Sequence, residues 1–87
     1  MIIRTKAHAG TIQSSDVMIF VEPAAELVIE IDSTVKRQFE HLIRRKIEEV
    51  LRAHGIAAGR VRVSDRGALD YAIEARLETA LRRASGA

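Results

Sequence analysis

The sequence predicts an α+β fold: a two-layer sandwich in which a small, mainly antiparallel sheet carries two helices on one face, in the order β-β-α-β-α. Three patterns lead there. Two short apolar stretches flank Pro23, and Val35 to Leu51 forms a long amphipathic stripe that stops just before Gly55. The alternating run Arg60-Val61-Arg62-Val63-Ser64 then leads into a second helical stripe.

Residues 1–16 are weakly patterned. Ile2 and Ile3 are enough for a short strand start, but Ala7-His8-Ala9-Gly10 offers little to pack, and Ser14-Ser15-Asp16 are turn formers. We expect a mobile surface arm ending in a polar loop, followed by a folded core over 17–84, all within one domain spanning 1–87.

Val17 to Glu22 is rich in β-branched and aromatic side chains and reads as a strand. Val17, Ile19 and Val21 share one face; Met18 and Phe20 share the other. Pro23-Ala24-Ala25 interrupts the run, and Glu26 to Asp32 alternates with Leu27, Ile29 and Ile31 inward. So short a link between two strands predicts an antiparallel hairpin. Ser33 or Thr34 then supplies an N-cap for a helix whose apolar stripe is Val35, Phe39, Leu42, Ile43, Ile47, Val50 and Leu51. Gly55 stands where a helix-ending glycine belongs. After the third strand, Asp65 is placed to cap a helix with a stripe at Leu69, Ala72, Ile73, Leu77, Ala80, Leu81 and Ala84, interrupted only by Arg76. Met18, Phe20 and Val28 remain on the far sheet face, either as a docking surface or as a patch covered by the N-terminal arm.

Composition narrows the function. A chain of 87 residues buries only about 60% of its unfolded surface, so one modest core is expected. With 47% hydrophobic and 30% charged residues, it is a folding composition rather than a disordered one. The net charge is +2, with acids interleaved among the bases, and Phe20, Phe39 and Tyr71 are the only aromatics. Both features argue against a nucleic-acid partner. There is no cysteine, so any thiol chemistry must arrive on a cofactor. No segment resembles a signal peptide or a membrane span, which predicts a cytoplasmic protein with no membrane partner. His8, His41 and His54 are too scattered for metal-ligand spacing, and the glycines at 55, 59 and 67 are explained by turns and caps. No active site assembles from these residues.

Ser14 draws interest through its setting, a run of small and polar residues, Ala9-Gly10-Thr11-Ile12-Gln13-Ser14-Ser15-Asp16, directly before the first strand. A serine without a neighbouring base is a weak nucleophile. It remains usable as an attachment point when another enzyme supplies the catalysis.

Ala9-Gly10-Thr11, Ser14 and Asp16-Val17-Met18-Ile19 resemble the gamma subunit, or acyl carrier protein, of citrate lyase. The resemblance continues through Ser33-Thr34-Val35-Lys36-Arg37-Gln38-Phe39, Asp65-Arg66-Gly67-Ala68-Leu69-Asp70, Ala75-Arg76-Leu77-Glu78 and Arg83-Ala84-Ser85-Gly86, in one register over nearly the whole chain. It implies a non-catalytic carrier with phosphoribosyl-dephospho-coenzyme A attached to Ser14 through a phosphodiester, placed there by a prosthetic-group transferase. Ser15 stands where family members carry glycine or serine. The resemblance further implies two partners: an alpha subunit that exchanges acetyl for citrate on the arm, and a beta subunit that cleaves the citryl group. The carriers of malonate decarboxylase and citramalate lyase are the near alternatives. A small RNA-binding domain using Arg60, Arg62 and Arg66, or a structural domain using Met18, Phe20 and Val28, represents other classes.

Overall fold

The computed structural model describes residues 1–86 and has the expected α+β architecture, with a four-stranded mixed sheet carrying two helices on one face. The strands are β1 (Ala7–Gly10), β2 (Val17–Glu22), β3 (Leu27–Ser33) and β4 (Gly59–Asp65), and the helices are α1 (Glu40–Ala53) and α2 (Asp70–Ala84). Val17, Ile19, Val21, Val61 and Val63 are all buried beneath the helices, as their alternation predicts. Ile43, Ile47, Val50 and Leu51 of α1 meet Ile73, Leu77, Ala80 and Leu81 of α2 in the same core. Gly55 adopts a φ of 66° and ends α1, with the Ile56 N–H donating to the Leu51 carbonyl.

The sheet order corrects the predicted hairpin. It runs β1-β2-β4-β3, with β2 antiparallel to β1 and β4, and β3 parallel to β4. β4 has therefore entered between the two strands that sequence neighbourhood would pair. The segment 23–26 can reach roughly 13 Å when extended, enough to pass over one strand position. Charge favours the insertion: Arg60 of β4 lies 2.6 Å from Glu30 of β3 and 3.6 Å from Glu22 of β2.

The chain start also differs from the expected arm. Ile3 and Ala9 are buried, and the Arg4 and Thr5 N–H groups donate to the Ala84 carbonyl at the end of α2. β1 pairs with β2 as an edge strand, with α2 packed across it. Residues 3–10 thus belong to the body of the fold, outside the core boundary at residue 17 read from the sequence. His8 stands beside Phe20 on the open face, so β1 widens the sheet instead of covering Met18, Phe20 and Val28.

The first helix begins late. A 3₁₀ turn at Arg37–Phe39 precedes α1, and neither helix has a side-chain N-cap. Ser33 has other work: its hydroxyl donates to the buried Asp65 carboxylate at 2.7 Å and accepts from the Val35 N–H. Asp65 also accepts from the Ala68 N–H, bracing the turn before α2. Val35, Phe39, Leu42 and Leu69, all predicted to be core, are instead exposed.

Candidate functional site

Ser14 lies in the loop between β1 and β2, at the end of the sheet where β3 and β4 finish and both helices begin. Ile12, Gln13, Ser14 and Ser15 are all exposed, and Ser14 makes no side-chain hydrogen bond among the described residues. The hydroxyl is open to solvent while the chain on either side of it is held.

The loop is closed at its base by backbone pairing. The Thr11 N–H donates to the Val17 carbonyl at 3.2 Å, and the Asp16 N–H to the Gln13 carbonyl at 3.1 Å. Gly10 permits this closure: its φ is 99°, and a Cβ there would overlap the Val17 carbonyl oxygen. The tip is pinned to the turn before α2, because the Ser15 N–H donates to the Arg66 carbonyl and the Arg66 N–H to the Asp16 carbonyl. Ser15 has a φ of 66°, the left-handed region that glycine enters most easily.

Asp16 is the side-chain anchor. Its carboxylate accepts from the Thr11 hydroxyl at 2.6 Å, the Val17 N–H at 2.7 Å, and Arg76 through Nε at 3.2 Å and Nη2 at 3.0 Å. The Thr11 hydroxyl, then the Val17 N–H and the Arg76 guanidinium, hold the carboxyl at about 2, below its ordinary 3.8, against desolvation acting the other way. Arg76, the residue that interrupts the apolar stripe of α2, is thus the strut joining helix to loop. Sequence reasoning missed it. A cation inside an apolar stripe, with one carboxylate in a nearby polar loop, is the signal that can expose such a pair.

Chemically, the loop offers a fixed, accessible hydroxyl with no imidazole or carboxylate among the described residues hydrogen-bonded to it. Small exposed neighbours leave space for a bulky group on Ser14. The grooves of about 270 and 450 Å³ that flank Phe20 lie on the open sheet face and are lined by no residue of the loop. Among the described residues no three His, Asp or Glu side chains come together to hold a metal ion, and no helix is long and apolar enough to cross a membrane.

Residues 4–84 match the model of an acyl carrier family described as malonate decarboxylase delta subunit (MdcD). A citrate lyase acyl carrier protein of Halothermothrix orenii is 45% identical over 86 residues, covering 98% of this chain and 92% of that protein. Another, from Cronobacter sakazakii, is 49% identical over 85 residues, covering 97% and 88%. Among solved structures, a chain of a Pseudomonas malonate decarboxylase hetero-tetramer in complex with malonate superposes with a TM-score of 0.80 at 22% identity, over 93% of this chain and 84% of that one. At that identity the likeness concerns the fold.

Proposed function

The chain belongs to the acyl carrier family that includes the citrate lyase acyl carrier proteins, and from that premise we propose that its Ser14 hydroxyl is the covalent attachment point of the prosthetic arm. The observation supporting this most directly is the contrast at the loop: an exposed, unengaged Ser14 hydroxyl on a backbone held at Gly10, Ser15 and Asp16. A carrier needs an anchor that does not wander and a hydroxyl that modifying and consuming enzymes can reach.

The group fits the residues present. A phosphodiester needs one free hydroxyl and open space; Ser14 and Ser15 both offer these, Thr11 already donates its hydroxyl to Asp16, and the register of the resemblance is what favours Ser14 over Ser15. When bound, phosphoribosyl-dephospho-coenzyme A supplies the thiol that this cysteine-free chain lacks. The protein's own contribution is mechanical. Asp16, Arg76 and the Arg66 backbone fix the origin of the arm, and tethering raises the local concentration of its cargo to roughly millimolar for a short flexible linker. The chain is a non-catalytic cytoplasmic subunit that presents acetyl and citryl thioesters to the alpha and beta subunits. The citrate lyase reading is preferred over the malonate decarboxylase one because the full-length relatives at 45–49% identity carry the former name.

Intact-mass spectrometry of the protein made beside an active prosthetic-group transferase tests this. The wild type and Ser15→Ala gain the mass of the arm and Ser14→Ala does not. An adduct that survives in Ser14→Ala refutes the assignment.

A further inference from the structure

The sheet has two free edges, β3 on one side and β1 on the other. β3 presents the longer one, the seven residues Leu27-Val28-Ile29-Glu30-Ile31-Asp32-Ser33. Hydrogen-bond parity fixes which of its backbone groups face outward. The Gly59 N–H donates to the Glu26 carbonyl, and the Thr34 N–H to the Asp65 carbonyl. Even-numbered residues of β3 therefore turn their backbone groups toward β4, and Leu27, Ile29, Ile31 and Ser33 turn theirs to the open side. In the middle of that open row stands Arg44 of α1. Its Nη1 and Nη2 both donate to the Ile29 carbonyl at 3.3 Å, and the guanidinium makes no ion pair among the described residues. β1 repeats the arrangement. The Thr11 N–H donates to the Val17 carbonyl, so by the same parity His8 turns its backbone groups away from β2. Arg83 of α2 donates to that His8 carbonyl at 2.8 Å. Each edge thus has one outward carbonyl filled by an arginine from the helix packed against it.

We propose that Arg44 is an edge guard: by occupying the Ile29 carbonyl it keeps β3 from pairing with β3 of a second copy of this chain. The strand needs such a guard. It is rich in β-branched residues, and Leu27 and Val28 are 41% and 40% exposed, so its bare edge is a template for another strand. The excluded occupant follows from symmetry and charge. Two identical edges pair antiparallel about a two-fold axis, the arrangement that closes at two copies. A register centred on Glu30 sets Glu30 opposite its own copy, and one centred on Ile31 sets it opposite Asp32. Like charges meet in both, which disfavours them. A register centred on Ile29 sets Val28 opposite Glu30 and Leu27 opposite Ile31, with no like charges opposed within the strand. There the two Ile29 residues would exchange hydrogen bonds, through the carbonyl that Arg44 holds. A register centred on Val28 shortens the overlap to residues 27–29 and draws on the same carbonyl. The acids close two registers and the arginine closes the others. β1 is a poorer template, four residues long and ending in glycine.

Analytical ultracentrifugation of the full-length chain at about 100 μM, within the range where bare strand edges associate, tests this. Wild type sediments as a monomer. Arg44→Ala shows a twofold rise in apparent mass, with amide exchange slowed at Leu27, Ile29 and Ile31, whose N–H groups face outward. Arg45→Ala removes the same charge one residue on, from an exposed side chain, and stays monomeric. Adding Val28→Glu to Arg44→Ala restores the monomer, because position 28 then opposes Glu30 of the second copy with like charge. If circular dichroism shows that alanine unfolds the chain, Arg44→Met takes its place, keeping an apolar stem against the sheet without the donors. A folded Arg44 variant that stays monomeric, self-association in Arg45→Ala, a dimer that survives Val28→Glu, or a wild type already paired through β3 overturns the guard.

Discussion

Replacing Asp16 by asparagine isolates the charge that ties the loop to α2. The native carboxylate accepts four hydrogen bonds, while the amide turns an N–H₂ toward Thr11 or Arg76, where a donor already points. The depression from 3.8 to about 2 corresponds to about 2 kcal/mol, at about 1.36 kcal/mol per pKa unit. The Arg76 side chain is 43% exposed, so solvent screening brings the expected figure down to about 1–2 kcal/mol. The sign follows from linkage. A carboxyl lowered in the folded state stabilises fully above its unfolded value of 3.8, and that stability is lost as pH falls toward about 2. Urea unfolding of wild type and Asp16→Asn from pH 7 to pH 2 should show a gap of about 1–2 kcal/mol at neutral pH that closes across the window from about 4.5 to 2. At neutral pH the variant melts about 5–10 °C lower. A gap independent of pH would refute the role given to the charge.

The remaining predictions concern the same end of the fold. Gly10→Ala forces a side chain into the Val17 carbonyl at a φ of 99° and should cost about 2–4 kcal/mol, read as a lower melting temperature. Ser15→Gly relieves a left-handed serine and should leave stability unchanged or raise it by up to about 1 kcal/mol in urea unfolding, with Ser14 still modified. Ser33→Ala removes the donor to one oxygen of the buried Asp65 and should cost about 1–3 kcal/mol by the same assay.

Local periodicity made much of this fold legible. The inward faces of Val17/Ile19/Val21 and Val61/Val63 and the inner half of the α1 stripe follow from the repeat of strand and helix, because burial there is decided by neighbours a few residues away. Strand order was not legible. β2 pairs with β4, about forty residues on, instead of with the nearby β3, and hydrophobic pattern is silent on that choice. β1 was hidden because alanine and glycine suit a strand lying closely under α2, and those small residues show no alternation. Phe39, Leu42 and Leu69 have the spacing of core residues, so periodicity cannot distinguish a buried stripe from an exposed one. For the site, the small-residue loop and its exposed serine are local features of the sequence. The clamp from Arg76 to Asp16 spans sixty residues and exists only once α2 has packed.

The central claim is that the Ser14 oxygen is the anchor. Tryptic digestion of the modified protein releases the peptide of residues 7–36, which contains Ser14, Ser15 and Ser33, and fragment-ion masses locate the added group within it. The increment should first appear between the fragments ending at Gln13 and at Ser14. An increment that begins at Ser15 or Ser33, or a peptide of unaltered mass from protein that bears the arm, contradicts the account.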